Sequence, residues 1–201
     1  MDLDLEVKSA AAYGRLIRGL VRGLWNGRFD FFTFYDDMVV TIQNGLTRAW
    51  TEGMRACGIE PEEMTEDERE LLQRQILSDA SHITGFAQAI IRNSRASGGK
   101  LSPLLRRAGL WENRYGAVRE LARSSACKDK KLEWVMGARE RHCSDCLRLN
   151  GRVYRASIWR KYGLYPKSPD LECRGFRCGC EFVETNKRAT PGFPPRPFYR
   201  R

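Results

Sequence analysis

The sequence predicts a mainly α N-terminal half, followed by a small α+β C-terminal module that its cysteines staple together. Three observations support this prediction. Apolar residues recur at helical spacing through the first half of the chain. Five of the seven cysteines lie between Cys143 and Cys180. Charge is uneven, with 11 Lys or Arg and 15 Asp or Glu in residues 1–99, against 24 and 10 in residues 100–201.

Three helices are predicted in the first half, over residues 9–25, 30–57 and 65–94. The first carries an apolar stripe and ends before an Asn-Gly pair, which typically breaks a helix. The third opens with a capping box, in which Thr65 is followed by Glu68 three residues later. We therefore expect a slightly acidic helical region that ends near residue 99.

The second half is predicted to mix short elements. Residues 97–100, Ser-Gly-Gly-Lys, form a linker. Helices are predicted over 104–110 and 114–127, and a strand or buried turn over 132–136. Residues 152–165 are expected to hold a short strand and one helical turn.

Composition divides the chain into three regions. Residues 1–99 form the helical, slightly acidic region. Residues 100–186 form the basic module with the cysteine cluster, and residues 187–201 form a tail rich in proline, aromatic residues and arginine. Such a tail either stays loose or docks as an extended peptide on a partner.

The bulk composition is typical of a soluble globular protein, since 42% of residues are hydrophobic and 30% are charged. No apolar window has the length of a membrane span. The acidic start lacks the basic residues of a secretory signal. We therefore expect an intracellular product in which thiols stay reduced.

The clustered cysteines have the spacing of metal ligands, Cys143-x2-Cys146 followed by Cys173-x4-Cys178-x-Cys180. Two short cysteine pairs joined by a loop can build a closed tetrahedral Zn²⁺ site, which is structural because no coordination position stays open. Four ligands are needed and five are present. We favour the first four, with Cys180 as the rival, and an iron–sulfur cluster, disulfides or unligated thiols remain alternatives.

The remaining cysteines, Cys57 and Cys127, stand outside the cluster, and we expect them to be buried or incidental thiols. The chain contains two histidines and shows no phosphate-binding glycine loop, no His-Glu-x-x-His word and no Ser/His/Asp set. We therefore expect a protein that is not an enzyme.

The short sequence motifs around the cysteines resemble those of a known family. They are Trp134, then Cys143-Ser144-Asp145-Cys146, then Leu149-Asn150-Gly151-Arg152-Val153, and a closing Cys178-Gly179-Cys180. In this order they resemble the phage Mu F-like minor head family, the head-morphogenesis proteins of tailed phages. The resemblance covers roughly residues 104–183, about 40% of the chain. The family's closing His-Pro is missing, and Gly175 stands where that histidine would fall, with Cys173 as its nearby replacement.

The resemblance implies a structural virion protein of low copy number in the phage head, assembled in the host cytoplasm. It implies contacts with the portal protein, the major capsid protein or both, a multimeric arrangement in the virion, and a part in DNA packaging, retention or ejection. The alternative is a zinc-ribbon protein that binds nucleic acid and regulates. That alternative accounts for the cluster and the charge, but it leaves the long acidic helical half unexplained.

The basic module is expected to contact packaged double-stranded DNA through its phosphates, without sequence preference. The candidate contacts are Arg148, Arg152, Arg155, Arg160 and Lys161. A solvated basic face, or a face that meets an acidic protein, would carry the same excess of charge.

Overall fold

A computed structural model describes residues 7–138 and 141–197 of the chain. Its elements are α1 (Ala10–Trp25), α2 (Phe31–Arg55), a 3-10 turn (Pro61–Glu63), α3 (Glu66–Ala80), α4 (Ile83–Arg92), α5 (Leu101–Ala126), β1 (Lys131–Val135), α6 (Ser144–Leu149), β2 (Val153–Arg155), α7 (Ala156–Lys161) and β3 (Glu181–Glu184). The predicted fold class is confirmed, because the protein is mainly helical with a small antiparallel sheet near its C-terminus. Within these ranges, no helix is both long and apolar enough to cross a bilayer.

The chain folds into two compact units, each built from separate segments. The N-terminal unit comprises Met1–Ala49 and Arg69–Tyr115, and the C-terminal unit comprises Trp50–Glu68 and Gly116–Arg201. These units follow packing, whereas the three predicted regions follow composition. The predicted regions therefore stay a prediction.

The N-terminal unit has an aromatic core that is placed by amphipathic helices. Phe86 of α4 stands at its centre, with ring centroids 6.5 Å from Phe34 and 4.9 Å from Trp111. Helix α1 buries Ile17 and Val21 on its apolar stripe. Burial of such side chains is the main stabilising contribution to a helical unit of this size.

The single helix predicted over residues 65–94 is wrong, since α3 and α4 are separated by a break at Ser81 and His82. The backbone carbonyl of Asp79 accepts a hydrogen bond from the indole N–H of Trp111, at 3.3 Å. The Ser81 hydroxyl donates to the carbonyl of Ser78, at 2.7 Å. Both contacts compete with the helical ladder, which explains the break.

The two helices predicted over 104–110 and 114–127 are one continuous helix, α5. Pro103 lies in its first turn, where a missing backbone N–H removes no helical bond. Residues 111–113, the expected gap between two helices, are helical because tertiary contacts stabilise them. Trp111 is buried and its indole N–H donates to the Asp79 carbonyl, and Glu112 forms an ion pair with Arg18.

The C-terminal unit is organised by an antiparallel sheet of order β2-β1-β3. Leu132 pairs with Tyr154 on one side, and Trp134 pairs with Phe182 on the other. Trp134 and Phe182 form an edge-to-face pair with centroids 5.8 Å apart, and Trp159 of α7 packs on both. The predicted strand near 132–136 and the strand and helical turn within 152–165 are confirmed.

Each outer strand of the sheet has one residue whose outward backbone groups are covered by another part of the chain. On β2, the Val153 N–H donates to Thr190 Oγ1 at 2.9 Å, and the Thr190 N–H donates to the Val153 carbonyl at 2.8 Å. The first part of the tail therefore lies along β2 of its own chain. On β3, the Phe182 N–H donates to Glu120 Oε2 at 2.8 Å, and Arg123 donates to the Phe182 carbonyl. The predicted tail residues 198–201 lie outside the described residues.

Candidate metal centre

The first cysteine pair is placed by the start of α6. Cys143 is the N-cap residue, and its Sγ accepts the Cys146 N–H at 3.4 Å. Glu172 Oε2 accepts the Ser144 N–H at 2.7 Å, and Asp145 Oδ2 accepts the Glu172 N–H at 2.9 Å. These two bonds fix the helix start beside the loop that carries the other cysteines.

The second group of cysteines sits on a loop of left-handed turns. Among residues 7–138 and 141–197, three residues other than glycine have positive φ, and all lie in this loop between α7 and β3: Lys167 at 65°, Arg174 at 49° and Arg177 at 49°. Such conformations are costly for these residue types and persist where surrounding contacts hold them. Within these turns the backbone N–H of Gly175 lies near the Cys173 sulfur, and that of Cys180 lies near the Cys178 sulfur.

The five sulfur atoms form two triads that share one member. The sulfurs of Cys143, Cys146 and Cys173 lie within 4.8 Å of one another, and so do those of Cys146, Cys178 and Cys180. The Cys146 and Cys178 sulfurs are 3.8 Å apart. All five cysteines predicted as ligands are therefore brought together, and the cluster could hold a metal ion.

Crowding of the thiols redistributes their protons. Hydrogen bonds from Cys146, Cys173 and Cys180 lower the pKa of the Cys178 thiol well below its usual value. Hydrogen bonds to Cys173, Cys178 and Cys180, together with burial, raise the pKa of Cys146. For Cys173 the bond to Cys146 lowers the pKa, but the bond to Cys178, burial and the charge of Cys178 outweigh it and raise the pKa to about 12. The cluster thus favours a thiolate at Cys178, and a metal ion must displace protons from its neighbours.

The other residues of the family-like words build the frame of this centre. Trp134 and Leu149 are buried in the core of the C-terminal unit. Asn150 Oδ1 accepts the Met136 N–H at 3.1 Å, and Gly151, at φ 74°, donates its N–H to the Trp134 carbonyl at 2.8 Å. A residue with a β-carbon would be strained at this position, which explains the glycine.

The predicted DNA contacts lie on and around β2, α6 and α7 and differ in exposure, and Arg152 Nε also donates to the Arg148 carbonyl at 3.4 Å. Arg148, Arg152 and Lys161 are exposed. Arg155 is also exposed, and it forms an ion pair with Asp129 at 3.6 Å. Arg160 is half-buried and donates to the Ser125 hydroxyl at 2.6 Å. Arg160 is therefore the least available of the five for a phosphate.

One functional pairing went unpredicted: Cys57 and Cys127 form a disulfide, with Cα atoms 5.2 Å apart. The expectation of buried or incidental thiols is corrected in this respect, although both residues are indeed buried. Packing brings the end of α2 beside the end of α5, within the range that a disulfide requires. Their sequence separation of 70 residues leaves no local signal of the pairing.

Glu120 is a second residue that sequence reasoning missed. Its side chain is fully buried, with ion pairs to Arg119 at 2.9 Å and to Arg123 at 3.5 Å. Its burial could have been predicted from helical spacing, since Glu120 lies three residues after Ala117 and four before Ser124, and both of these residues are buried on α5. In the sequence the alternation of Arg and Glu reads instead as a solvated face.

Comparison of the chain with protein-family models, curated proteins and solved structures finds no match.

Proposed function

We propose that this chain is a structural minor head protein of a tailed phage, in which a metal-stapled C-terminal unit supports contacts with DNA and the helical region docks on the portal or major capsid protein. The observation that carries the proposal is the structural role of the motifs that resemble the phage Mu F-like family. Trp134, Leu149 and Gly151 form core and turn, while the cysteines converge on one centre. Residues used in this way specify a fold, and we propose that the protein performs no catalysis.

Zinc is the metal that we propose for the cluster. Two Zn–S bonds of about 2.3 Å at a tetrahedral angle place their sulfurs about 3.8 Å apart. The Cys146 and Cys178 sulfurs lie 3.8 Å apart, which matches this spacing. Contacts with Cys146, Cys173 and Cys180 lower the pKa of the Cys178 thiol, which favours at this residue the thiolate form that zinc requires. Bound zinc would staple α6 to the loop before β3, and its binding energy would be folding energy of this unit.

The DNA contact is the second part of the proposal. Residues 100–201 carry 24 Lys or Arg and 10 Asp or Glu, an excess that suits a polyanion. We infer that the exposed Arg148, Arg152 and Lys161 bind phosphates, with Arg155 available once its exposed ion pair opens. An exposed pair of this kind contributes little stability, so opening it costs little.

The partner proposal is tested by co-expressing the chain with the portal, major capsid and scaffold proteins of the same phage. We expect the chain to purify with portal rings or procapsids. Failure to associate with any of these components, together with sequence-selective binding to duplex DNA, would support the zinc-ribbon regulator instead.

The DNA proposal is tested with the double variant Arg152→Glu, Lys161→Glu. Its control is Arg28→Glu, which reverses one charge at an exposed arginine of the N-terminal unit. We expect the wild type to bind duplexes of unrelated sequence equally, with an affinity that falls as salt rises. The double variant should lose about two from the slope of log K against log salt, while the control keeps the slope. Unchanged binding in the double variant would remove these residues from the interface.

A further inference from the structure

The five sulfur atoms are more than one four-ligand site needs, and their arrangement suggests a use for the fifth. Each triad is compact, with all its sulfurs within 4.8 Å of one another. Cys146 belongs to both triads, whereas Cys143 and Cys173 belong to the first and Cys178 and Cys180 to the second. This is the topology of two neighbouring metal positions joined through one sulfur.

Hydrogen-bond donors around the sulfurs separate Cys146 from the other four. Cys143 accepts the N–H of Cys146 at 3.4 Å, and the backbone N–H groups of Gly175 and Cys180 lie near the sulfurs of Cys173 and Cys178. A thiolate that binds one ion keeps lone pairs for such donors. A thiolate that bridges two ions commits two lone pairs to metal and needs fewer.

The fourth outer sulfur, that of Cys180, lies near a buried side-chain N–H that has no hydrogen-bond partner in the described part of the chain. The indole N–H of Trp134 is buried and meets no acceptor at hydrogen-bonding geometry among the described residues. It lies near the Cys180 sulfur. The contact with Cys146 lowers the pKa of that thiol, but Cys178 and burial outweigh it and raise the pKa to about 11, and the indole opposes this rise only slightly. A buried N–H without a partner is costly, and a charged Cys180 thiolate would satisfy it. This orphaned donor is an observation independent of the triads.

Charge and exposure fit two divalent ions. Five thiolates around two such ions leave about one net negative charge, which is less than the two that four thiolates leave around one ion. Exposed arginines at positions 174 and 177 lie in the loop itself, between Cys173 and Cys178. Cys143, Cys173 and Cys178 are only partly buried, so water can complete the fourth position of each ion.

We propose that the cluster binds two thiophilic divalent ions of the zinc class, with Cys146 as the bridging thiolate, Cys143 and Cys173 as terminal ligands of one ion, and Cys178 and Cys180 as terminal ligands of the other. The proposal rests on the metal staple of the proposed function and changes its stoichiometry. It also gives every cysteine of the cluster a role.

The test is metal stoichiometry of the full chain, purified without oxygen, loaded with Zn²⁺ or Cd²⁺ and measured by native mass spectrometry. We expect two ions per chain. Cys143→Ser and Cys180→Ser should each keep one ion, and Cys146→Ser should lose both. Because Cys146→Ser could also unfold the unit, the wild type loaded with ¹¹³Cd is measured by NMR as well. Two resonances coupled through the shared sulfur are expected.

The outcomes separate this inference from the function on which it rests. One ion per chain, with a single ¹¹³Cd resonance and one cysteine replaceable without loss of affinity, would overturn the bridge and leave the staple intact. Binding of no ion by the reduced protein would overturn both.

Discussion

Replacing Glu120 by alanine tests how strongly one buried carboxylate holds β3 to α5. The side chain has 0% exposure, accepts the Phe182 N–H at 2.8 Å and is paired with Arg119 and Arg123. The Arg123 guanidinium is 13% exposed and also donates to the Phe182 carbonyl. The substitution therefore leaves a buried N–H without an acceptor and a largely buried cation without its anion.

The size of the effect follows from these contacts. Breaking a buried ion pair by removing one partner costs about 3–5 kcal/mol, mostly through the charge that is left unpaired. The orphaned Phe182 N–H contributes about 1–3 kcal/mol of that cost. For a chain of this length, roughly 4 kcal/mol corresponds to a fall of about 8–16 °C in Tm.

The assay is urea and thermal unfolding of the metal-loaded protein, followed by circular dichroism, with amide hydrogen exchange at Phe182 as a local readout. The control is Glu181→Ala, because the Glu181 side chain is 51% exposed and forms only a long ion pair with Arg119, at 3.6 Å. We expect the control to change the free energy of unfolding by less than about 1 kcal/mol. We expect faster exchange at Phe182 only in Glu120→Ala.

The reasoning would be refuted if Glu120→Ala cost less than about 1 kcal/mol, or no more than the control. Glu120→Gln separates the two contributions. Its amide oxygen can still accept the Phe182 N–H, so we expect an intermediate loss with protected exchange at Phe182.

Three further predictions concern the metal loop and the disulfide. Gly175→Ala should destabilise the protein more than Gly163→Ala. Both glycines have positive φ, which costs alanine about 1–2 kcal/mol, but the added methyl group has open space at residue 163 and meets a backbone carbonyl at residue 175. Equal losses of unfolding free energy in denaturant melts would contradict this prediction. Zinc affinity, measured by competition with a chelator, should fall as pH falls. The reason is that thiols of raised pKa, such as Cys173 at about 12, hold protons that the ion must displace. An affinity that does not change between about pH 6 and pH 8 would argue against thiolate ligation. Replacing both Cys57 and Cys127 by serine should lower the unfolding free energy by about 4 kcal/mol, because the disulfide closes a loop of 70 residues in the unfolded chain. If the variant melts at the same temperature as the oxidised wild type, the disulfide does not constrain the unfolded chain.

The fold class and the elements with a strong local signal were predictable from the sequence. The stripe of α1 and the capping box at Thr65 are local patterns, and Glu68 does accept the Thr65 N–H at 2.9 Å. The break after α3 and the continuity of α5 were not predictable, because both depend on Trp111 and its long-range bond to the Asp79 carbonyl. Local propensity cannot foresee a tertiary contact that competes with a helical ladder.

The candidate site divides in the same way. Spacing was enough to predict that the five cysteines converge, since each short pair constrains its own turn. Spacing could not show that Cys146 is shared by two triads, because that depends on how the loop before β3 folds onto α6. The left-handed residues Arg174 and Arg177, which set that loop, carry no signal as arginines.

The covered edges of the small sheet have a consequence for assembly. Thr190 occupies the outward backbone groups of Val153, and Glu120 with Arg123 occupies those of Phe182. A strand from another molecule would have to displace one of these before it could pair with the sheet. These contacts oppose edge-to-edge pairing of two copies at Val153 and at Phe182, and we expect any ordered contact between copies at these residues to be made by side chains.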